Sequence, residues 1–448
     1  MEDITNPHVK AIWESLKVFL ENINGLYESF EYSENTLRSQ KIEAQREYYS
    51  FFKKNKIQLP EEGENPSVPA GKERQFQHVE RKLHRSQESS KLLLRSYIVS
   101  MVSQFDAYIA GLLRNIYAIN PDKLKQSGHT LTFAELQTFP SIDAAREHII
   151  ESKIENILRD SHQEQFSEIA SSIGVDSLKK FTNWPVFVEI TQRRNLFVHT
   201  NGIVSGQYIN ICKEEGVILG ELKKGDQLEV DRDYFLKAFN VFYEVAVKLS
   251  QMALRMLLLK KDKTAQGDID KCIITNIYDL IVDKRYEVAI ELSDFALNDK
   301  FKHSDKDRIY LTLNRAQAYK WNGNEAKCQQ LLADEDTSAW SSELKCPKYA
   351  LEGKIDKVCE LMTSTGTNGE ILHAEEFRNW PIFQAVRNEE KFREAFKAVF
   401  GEELENDIKE PDASTVIKPG VRIQRVNKTV GKEIKESKAE VLEPDSKI

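Results

Sequence analysis

The sequence predicts an all-α protein: a helical bundle followed by helical hairpins. Apolar residues recur at three- and four-residue spacing over most of the chain. Breaks between those stretches carry proline and glycine. Alternating apolar and polar residues, the mark of a strand, are confined to at most one small hairpin between Val204 and Leu219.

Ile12, Leu16, Phe19, Leu20, Ile23 and Leu26 share one helix face, and the pattern continues to about Phe52. The segment 58–71, with Pro60, Pro66 and Pro69, ends it. A second long helix is predicted over about 72–120. Its first half is polar, with Lys72, Arg74, Arg81, Lys82 and Arg85; its second half is apolar, from Leu92 to Leu112. The basic run could guide an RNA backbone, but Glu73, Glu80 and Glu88 interrupt it, which favours a solvated helix face. Asn120-Pro121 stops the helix. Shorter helices follow over about 142–159 and 164–173. Asn183-Trp184-Pro185 is a helix start, with Asn183 as the cap and proline in the first turn. That helix ends near Thr200-Asn201-Gly202, where glycine suits the left-handed cap. An amphipathic helix over 234–259 precedes a linker over 260–268.

The last third has another texture. Lys284-Arg285-Tyr286, Trp321-Asn322-Gly323 and Gly353-Lys354-Ile355 each look like the turn of a helical hairpin, at intervals that bracket a 34-residue period. With Ala316-Gln317-Ala318-Tyr319 in the first helix of the middle unit, the segment resembles a short tetratricopeptide array. The expected organisation is an N-terminal helical segment, 1–71, a helical domain, 72–262, tetratricopeptide-like repeats, 269–401, and a flexible charged tail, 405–448.

The chain has 448 residues and a net charge of −8, so there is no global basic field and any nucleic-acid contact must be local. Met252 to Leu259 is the most apolar stretch; Arg255 interrupts it, and it is too short to span a bilayer. Met1-Glu2-Asp3 opens no signal peptide. Five cysteines lack CxxC spacing, which argues against zinc or a disulfide framework and fits a reducing compartment. A cytoplasmic protein with no membrane contact is expected.

Phosphate-binding glycine loops, HExxH, GxSxG and clustered acidic triplets are absent from the sequence. What remains is Arg194-Asn195-x3-His199 at the end of an amphipathic helix. Arg194 and His199 stand about 140° apart and about 7.5 Å along the axis on an ideal helix, so the long arginine has to swing toward the histidine's groove. In the last turn the helix dipole favours a cation. A histidine serves as general acid or base near neutrality. Arginine grips phosphate with two donors and meets transition-state charge, and Asn195 can orient an oxygen. The set suffices, without metal or cofactor, for attack of a ribose 2′-OH on its own phosphate, a reaction that requires RNA. Such pairs also arise by chance, the histidine a cap and the arginine a solvated charge.

The stretch Asn183 to Tyr208, with Arg194-Asn195, His199 and Gly202-Ile203-Val204, resembles the signature helix of HEPN domains. The stretch from Leu93 to Tyr117, with Phe105-Asp106-Ala107-Tyr108, resembles that family's other core helix. The resemblance covers roughly residues 75–260. It implies a helical bundle and a homodimer that joins two motifs across a two-fold axis. It often implies a metal-independent endoribonuclease of toxin, abortive-infection or antiviral systems, here with Arg194, Asn195 and His199 as the catalytic set. Arg193 and Asp106 are possible helpers. A protein partner or trigger is expected at the repeats. Two alternatives stand beside the nuclease: a non-catalytic scaffold that docks a partner peptide, and a nucleotide-binding partner of a transferase.

Overall fold

The computed structural model describes residues 4–59, 66–125 and 131–404. The expected tail over 405–448 and residues 60–65 of the expected break lie outside them. The described chain is all-α. Its helices are α1 (Pro7–Asn55), α2 (Glu73–Ile119), α3 (Asp122–Lys125), α4 (Phe133–Leu136), α5 (Ile142–Arg159), α6 (His162–Ile173), α7 (Trp184–Thr200), α8 (Gly206–Glu214) and α9 (Arg232–Ala253). They continue with α10 (Gln266–Val282), α11 (Tyr286–Ala296), α12 (Asp305–Trp321), α13 (Glu325–Ala333), α14 (Ser342–Leu351), α15 (Ile355–Thr365), α16 (Ala374–Asn379) and α17 (Glu390–Phe400). Among the described residues, no helix is long and apolar enough to cross a membrane.

Two residues set the start and stop of α1. The Asn6 side chain accepts from the amides of His8 and Val9, and Lys56 closes the helix in the left-handed region. At 49 residues α1 is about 73 Å long, and α2 runs back along it as an antiparallel hairpin. The lower half of the hairpin is core. Val9, Ile12, Leu16, Phe19 and Ile23 pack against Ile98, Met101, Phe105, Ile109 and Leu112, the faces that the sequence spacing predicts. α9 closes the third side with Phe235, Phe242 and Val245. Phe105 sits at the centre, 5.7 Å from the Phe19 ring, 5.3 Å from Phe187 and 5.0 Å from Phe242. The buried Tyr108 hydroxyl lies 2.8 Å from both the Ala246 carbonyl and Ser250 Oγ, so no polar atom there is orphaned.

The upper half of the hairpin has little core. Phe51, Phe52 and Phe76 form a small cluster near its tip, and Lys82 bonds Glu47 at 2.7 Å. At its base Arg232 of α9 pairs with Glu31 and Glu34.

The apolar core of these helices continues into α10 and α11 through Ile269, Ile273, Ile277, Val288 and Leu292. The expected linker over 260–268 is a short 3₁₀ turn, Lys263–Ala265, and the start of α10. Asp268 Oδ2 accepts from the amides of Thr5, at 2.9 Å, and Asn6, at 2.8 Å, which ties both chain segments together. α9 ends in a π-helical turn, Leu254–Leu258, that carries Arg255. Arg255 Nη2 meets Asp270 Oδ1 at 2.6 Å, with both side chains buried. His303 Nδ1 reaches the same oxygen at 2.9 Å. Burial alone would raise the Asp270 carboxyl, but the His303 bond and the Arg255 charge outweigh it and hold the group below its ordinary value.

Three hairpins follow: α10 with α11, α12 with α13, and α14 with α15. Their turns place Lys284, Gly323 and Gly353 in the left-handed region, at the three turn segments aligned from sequence. A second core, with Leu313, Leu332, Ala350, Val358, Phe377 and Phe392, joins the later hairpins to α16 and α17.

Between Val204 and Leu219, where the sequence allows at most one small hairpin, none is formed. That stretch holds α8, and among the described residues the β pairing is a single bridge from Ile203 to Gln227. Ser205 caps α8 through the Tyr208 amide. Tyr208 and Cys212, four residues apart, then bury one face against Leu196 and Leu228. Helical spacing with a cap outweighs the β-prone side chains.

Candidate active site

α7 begins as expected at Trp184 with Pro185 in its first turn, but Asn183 makes no side-chain cap bond. Its amide instead donates to Glu244 Oε2 at 2.6 Å. Phe187, Val188, Ile190 and Thr191 are buried, so the next turn carries Arg193, Arg194 and Asn195 to the rim of the core.

The two adjacent arginines have different surroundings. Arg193 Nε donates to Glu189 Oε1 at 2.7 Å, Nη1 donates to the Glu229 carbonyl at 2.9 Å, and the guanidinium lies 4.0 Å from the Tyr234 ring centre. Glu189 also accepts from the hydroxyls of Tyr208 and Tyr234, each at 2.7 Å. Burial, then the Glu189 charge, pushes both phenols well above their ordinary range, so they stay protonated donors. Arg193 thus belongs to a buried network and does not line the cleft beside it. Arg193→Ala is expected to lower stability by about 3 kcal/mol, because it leaves Glu189 with an uncompensated charge; a reduced urea midpoint measures this.

Arg194 turns the other way. Its Nη2 donates to Asp106 Oδ2 of α2 at 2.7 Å, and its Nη1 to Asn195 Oδ1 at 3.1 Å. The other Asp106 oxygen lies 2.9 Å from His162 Nε2. An ionised carboxylate only accepts, so Nε2 carries the proton and donates. The His162 ring packs against both Phe105 and Phe187, with centroids at 6.2 and 5.8 Å. Three helices therefore converge on one carboxylate: α2 supplies it, α6 supplies His162, and α7 supplies Arg194.

This cluster forms one wall of a cleft of about 540 Å³, lined also by Asp160, Asn195 and His199. The His199 side chain is exposed and, among the described residues, makes no hydrogen bond. Four helix ends meet here. α6 and α8 begin at the cleft with their Ser161 and Ser205 caps, which presents the positive ends of two helix dipoles. α5 and α7 end there, and their last turns carry Arg159 and His199. The arrangement offers a phosphate two arginines, Arg159 and Arg194, two helix N-termini and an accessible imidazole.

The end of α7 is locked. Asn201, rather than the expected glycine, is the left-handed cap, and Gly202 follows with φ +84°. The positive φ favours glycine at Gly202, and a Cβ there would also stand 3.1 Å from the Leu228 carbonyl. Arg95 Nη1 donates to Asn201 Oδ1 at 2.9 Å, and Gln227 Nε2 donates to its carbonyl at 2.9 Å. Beneath the cleft, burial and then the Glu189 charge push the Cys212 thiol up to about 12. It stays protonated at neutral pH and supplies no nucleophile. Among the described residues, no three His, Cys, Asp or Glu side chains are grouped to hold a metal ion.

The structure thus brings Arg194, Asn195, His199 and Asp106 to one cleft and leaves Arg193 outside it. His162 was not found from sequence. Ser161-x-x-Glu164 forms a capping box that puts His162 at a helix start, but nothing local signals that the start abuts Asp106.

Fold and site together define an all-α protein with an Arg–Asp–His cluster where four helix ends meet. No protein-family model matches the chain, and no curated protein or solved structure shows significant similarity to it.

Proposed function

We propose that the chain is a HEPN-type endoribonuclease that cuts RNA with its own side chains. The observation that carries the reading is the Asp106 clamp on Arg194, which sets the guanidinium into the wall of the cleft that His199 also lines. His199 takes the proton from a ribose 2′-OH as it attacks the adjacent phosphorus. The 5′-oxygen of the next nucleotide leaves and takes the proton that His199 accepted, so the imidazole returns to its starting form and a 2′,3′-cyclic phosphate remains. Arg194 and the N-termini of α6 and α8 meet the negative charge on the pentacoordinate phosphate. Asp106 acts through Arg194, and His162 through Asp106; both are positioning residues.

The active species is a homodimer in this reading. One copy supplies a single Arg194–His199 set, and exposed Val198 and Ile203 flank it as an apolar surface for a second copy. The hairpins after α9 dock a protein partner or trigger, as expected of a cytoplasmic toxin or antiviral effector.

The test is product analysis. Single-stranded RNA incubated with the full chain and a chelator should yield 2′,3′-cyclic phosphate and 5′-hydroxyl ends, while 2′-O-methyl RNA should stay intact. Cleavage of the methylated strand, or 5′-phosphate ends, would exclude attack by the 2′-OH. If the chain is inert toward RNA with and without its partner, the non-catalytic scaffold is the reading left.

A further inference from the structure

The upper half of the α1–α2 hairpin holds a groove of about 780 Å³ that lies away from the cleft. Its α2 wall carries Arg74, His78, Arg81 and Arg85. On an ideal helix these four lie within about 60° of one another and rise by about 4.5–6 Å per step, so they make one stripe. The acidic residues that interrupt the run in sequence mostly lie elsewhere. Glu73 and Glu80 project roughly 80° or more from Arg81, and Glu88 stands beside the stripe only at its lower end.

The opposite wall, on α1, is short of bulk at Ala44 and supplies the groove's carboxylate, Glu43. Lys82 meets that carboxylate at 3.5 Å and Glu47 at 2.7 Å, so these acids are answered within the hairpin. Among the described residues, Arg74, Arg81 and Arg85 form no salt bridge, and all three are exposed. Three arginines without acidic partners along one groove, in a chain whose net charge is −8, mark a local site for a polyanion. The guanidinium fork fits phosphate oxygens with two parallel donors.

The groove is joined to the cleft by α2 itself. Arg95, which fixes Asn201 two residues after His199, lies ten residues from Arg85, about 15 Å along the helix. A strand that leaves the cleft along α2 therefore reaches Arg85 first and Arg74 last. We propose that this groove holds the sugar–phosphate backbone of single-stranded RNA flanking the cut site. The choice of RNA rests on the nuclease reading; the affinity for a phosphate backbone rests on the arginine stripe alone.

The experiment is fluorescence anisotropy of the full chain with a labelled 2′-O-methyl RNA of about 20 nucleotides, long enough to pass beyond a single short site and resistant to cleavage. The triple variant Arg74→Gln, Arg81→Gln, Arg85→Gln should bind about tenfold or more weakly near 0.1 M salt. Its salt slope should fall by about two, the share of three phosphate contacts on a single strand. Glu43→Gln removes the groove's carboxylate and should tighten binding, a gain that misfolding would not produce. Equal binding by the triple variant and the wild type would overturn the proposal. So would displacement of the probe by polyglutamate as readily as by unlabelled RNA, which would assign the groove to an acidic protein. Intact groove-dependent binding of the probe, together with no cleavage of unmethylated RNA by the full chain with or without its partner, would leave the groove standing and remove the nuclease reading instead.

Discussion

His199→Ala should slow RNA cleavage by about 10²–10⁴-fold, the usual contribution of a general acid–base group, with an unchanged urea midpoint. The ring is exposed and makes no hydrogen bond among the described residues, so its loss removes chemistry without opening the core. The effect should fall on kcat rather than on KM, since phosphate binding belongs to the arginines and helix N-termini. Arg194→Ala should cost about 10²–10³-fold, the scale of a lost donor to a developing oxyanion. It should also cost about 1–3 kcal/mol of stability, because Asp106 then keeps only His162. Arg194→Lys should rescue little, because one ammonium cannot reach Asp106 and Asn195 in the fork geometry of Nη1 and Nη2. Asn195→Ala should be milder, since that amide orients without moving a proton. Equal cleavage by His199→Ala and wild type would end the proposed mechanism.

The largest stability effect is expected far from the cleft, at Asp270. It is fully buried and accepts from Arg255, His303 and Gln266. His303 is held at both ends, with Nε2 2.8 Å from the Ala296 carbonyl. Asp270→Ala would leave Arg255 and His303 buried without a counter-charge, at a cost of about 3–5 kcal/mol, measured as a fall in the urea midpoint. Asp270→Asn, which keeps the shape, should cost less. The pH dependence follows from the depressed carboxyl. The folded state binds fewer protons than the unfolded state between the lowered folded value and the ordinary value of about 3.9, so stability rises with pH across that window. The contribution is fully present above about pH 4–5 and is lost as pH falls through the folded value. An acid titration should show this as a steeper loss of wild-type stability below pH 4 than for Asp270→Asn. Parallel curves would show that the carboxyl is not depressed.

The sequence carries much of the helical framework because each helix announces itself locally. The spacing of Ile12, Leu16, Phe19 and Ile23 marks a buried face whatever it packs against, and Asn120-Pro121 stops a helix through backbone sterics alone. That 204–219 forms a helix, where the sequence left room for a hairpin, has a physical cause as well. Nine residues are too few for periodicity to separate a strand from a helix, and the deciding contacts, Tyr208 and Cys212 against Leu196 and Leu228, come from other segments of the chain.

The site divides along the same line. The sequence by itself determined that α7 ends with Arg194, Asn195 and His199 on its last turns, since helix spacing is a local property. The family resemblance put Arg194 in the catalytic set and left Arg193 and Asp106 as possible helpers, with no local signal of where either arginine points. Only the tertiary structure decided between the arginines. The buried Glu189 draws Arg193 inward, whereas Asp106, 88 residues away in sequence, draws Arg194 to the cleft. The same holds for His162, and for the basic run on α2, where Glu43 and Glu47 of α1 answer Lys82 and leave three arginines clear. A charge's partners are set by which helices pack together, and no local pattern encodes that.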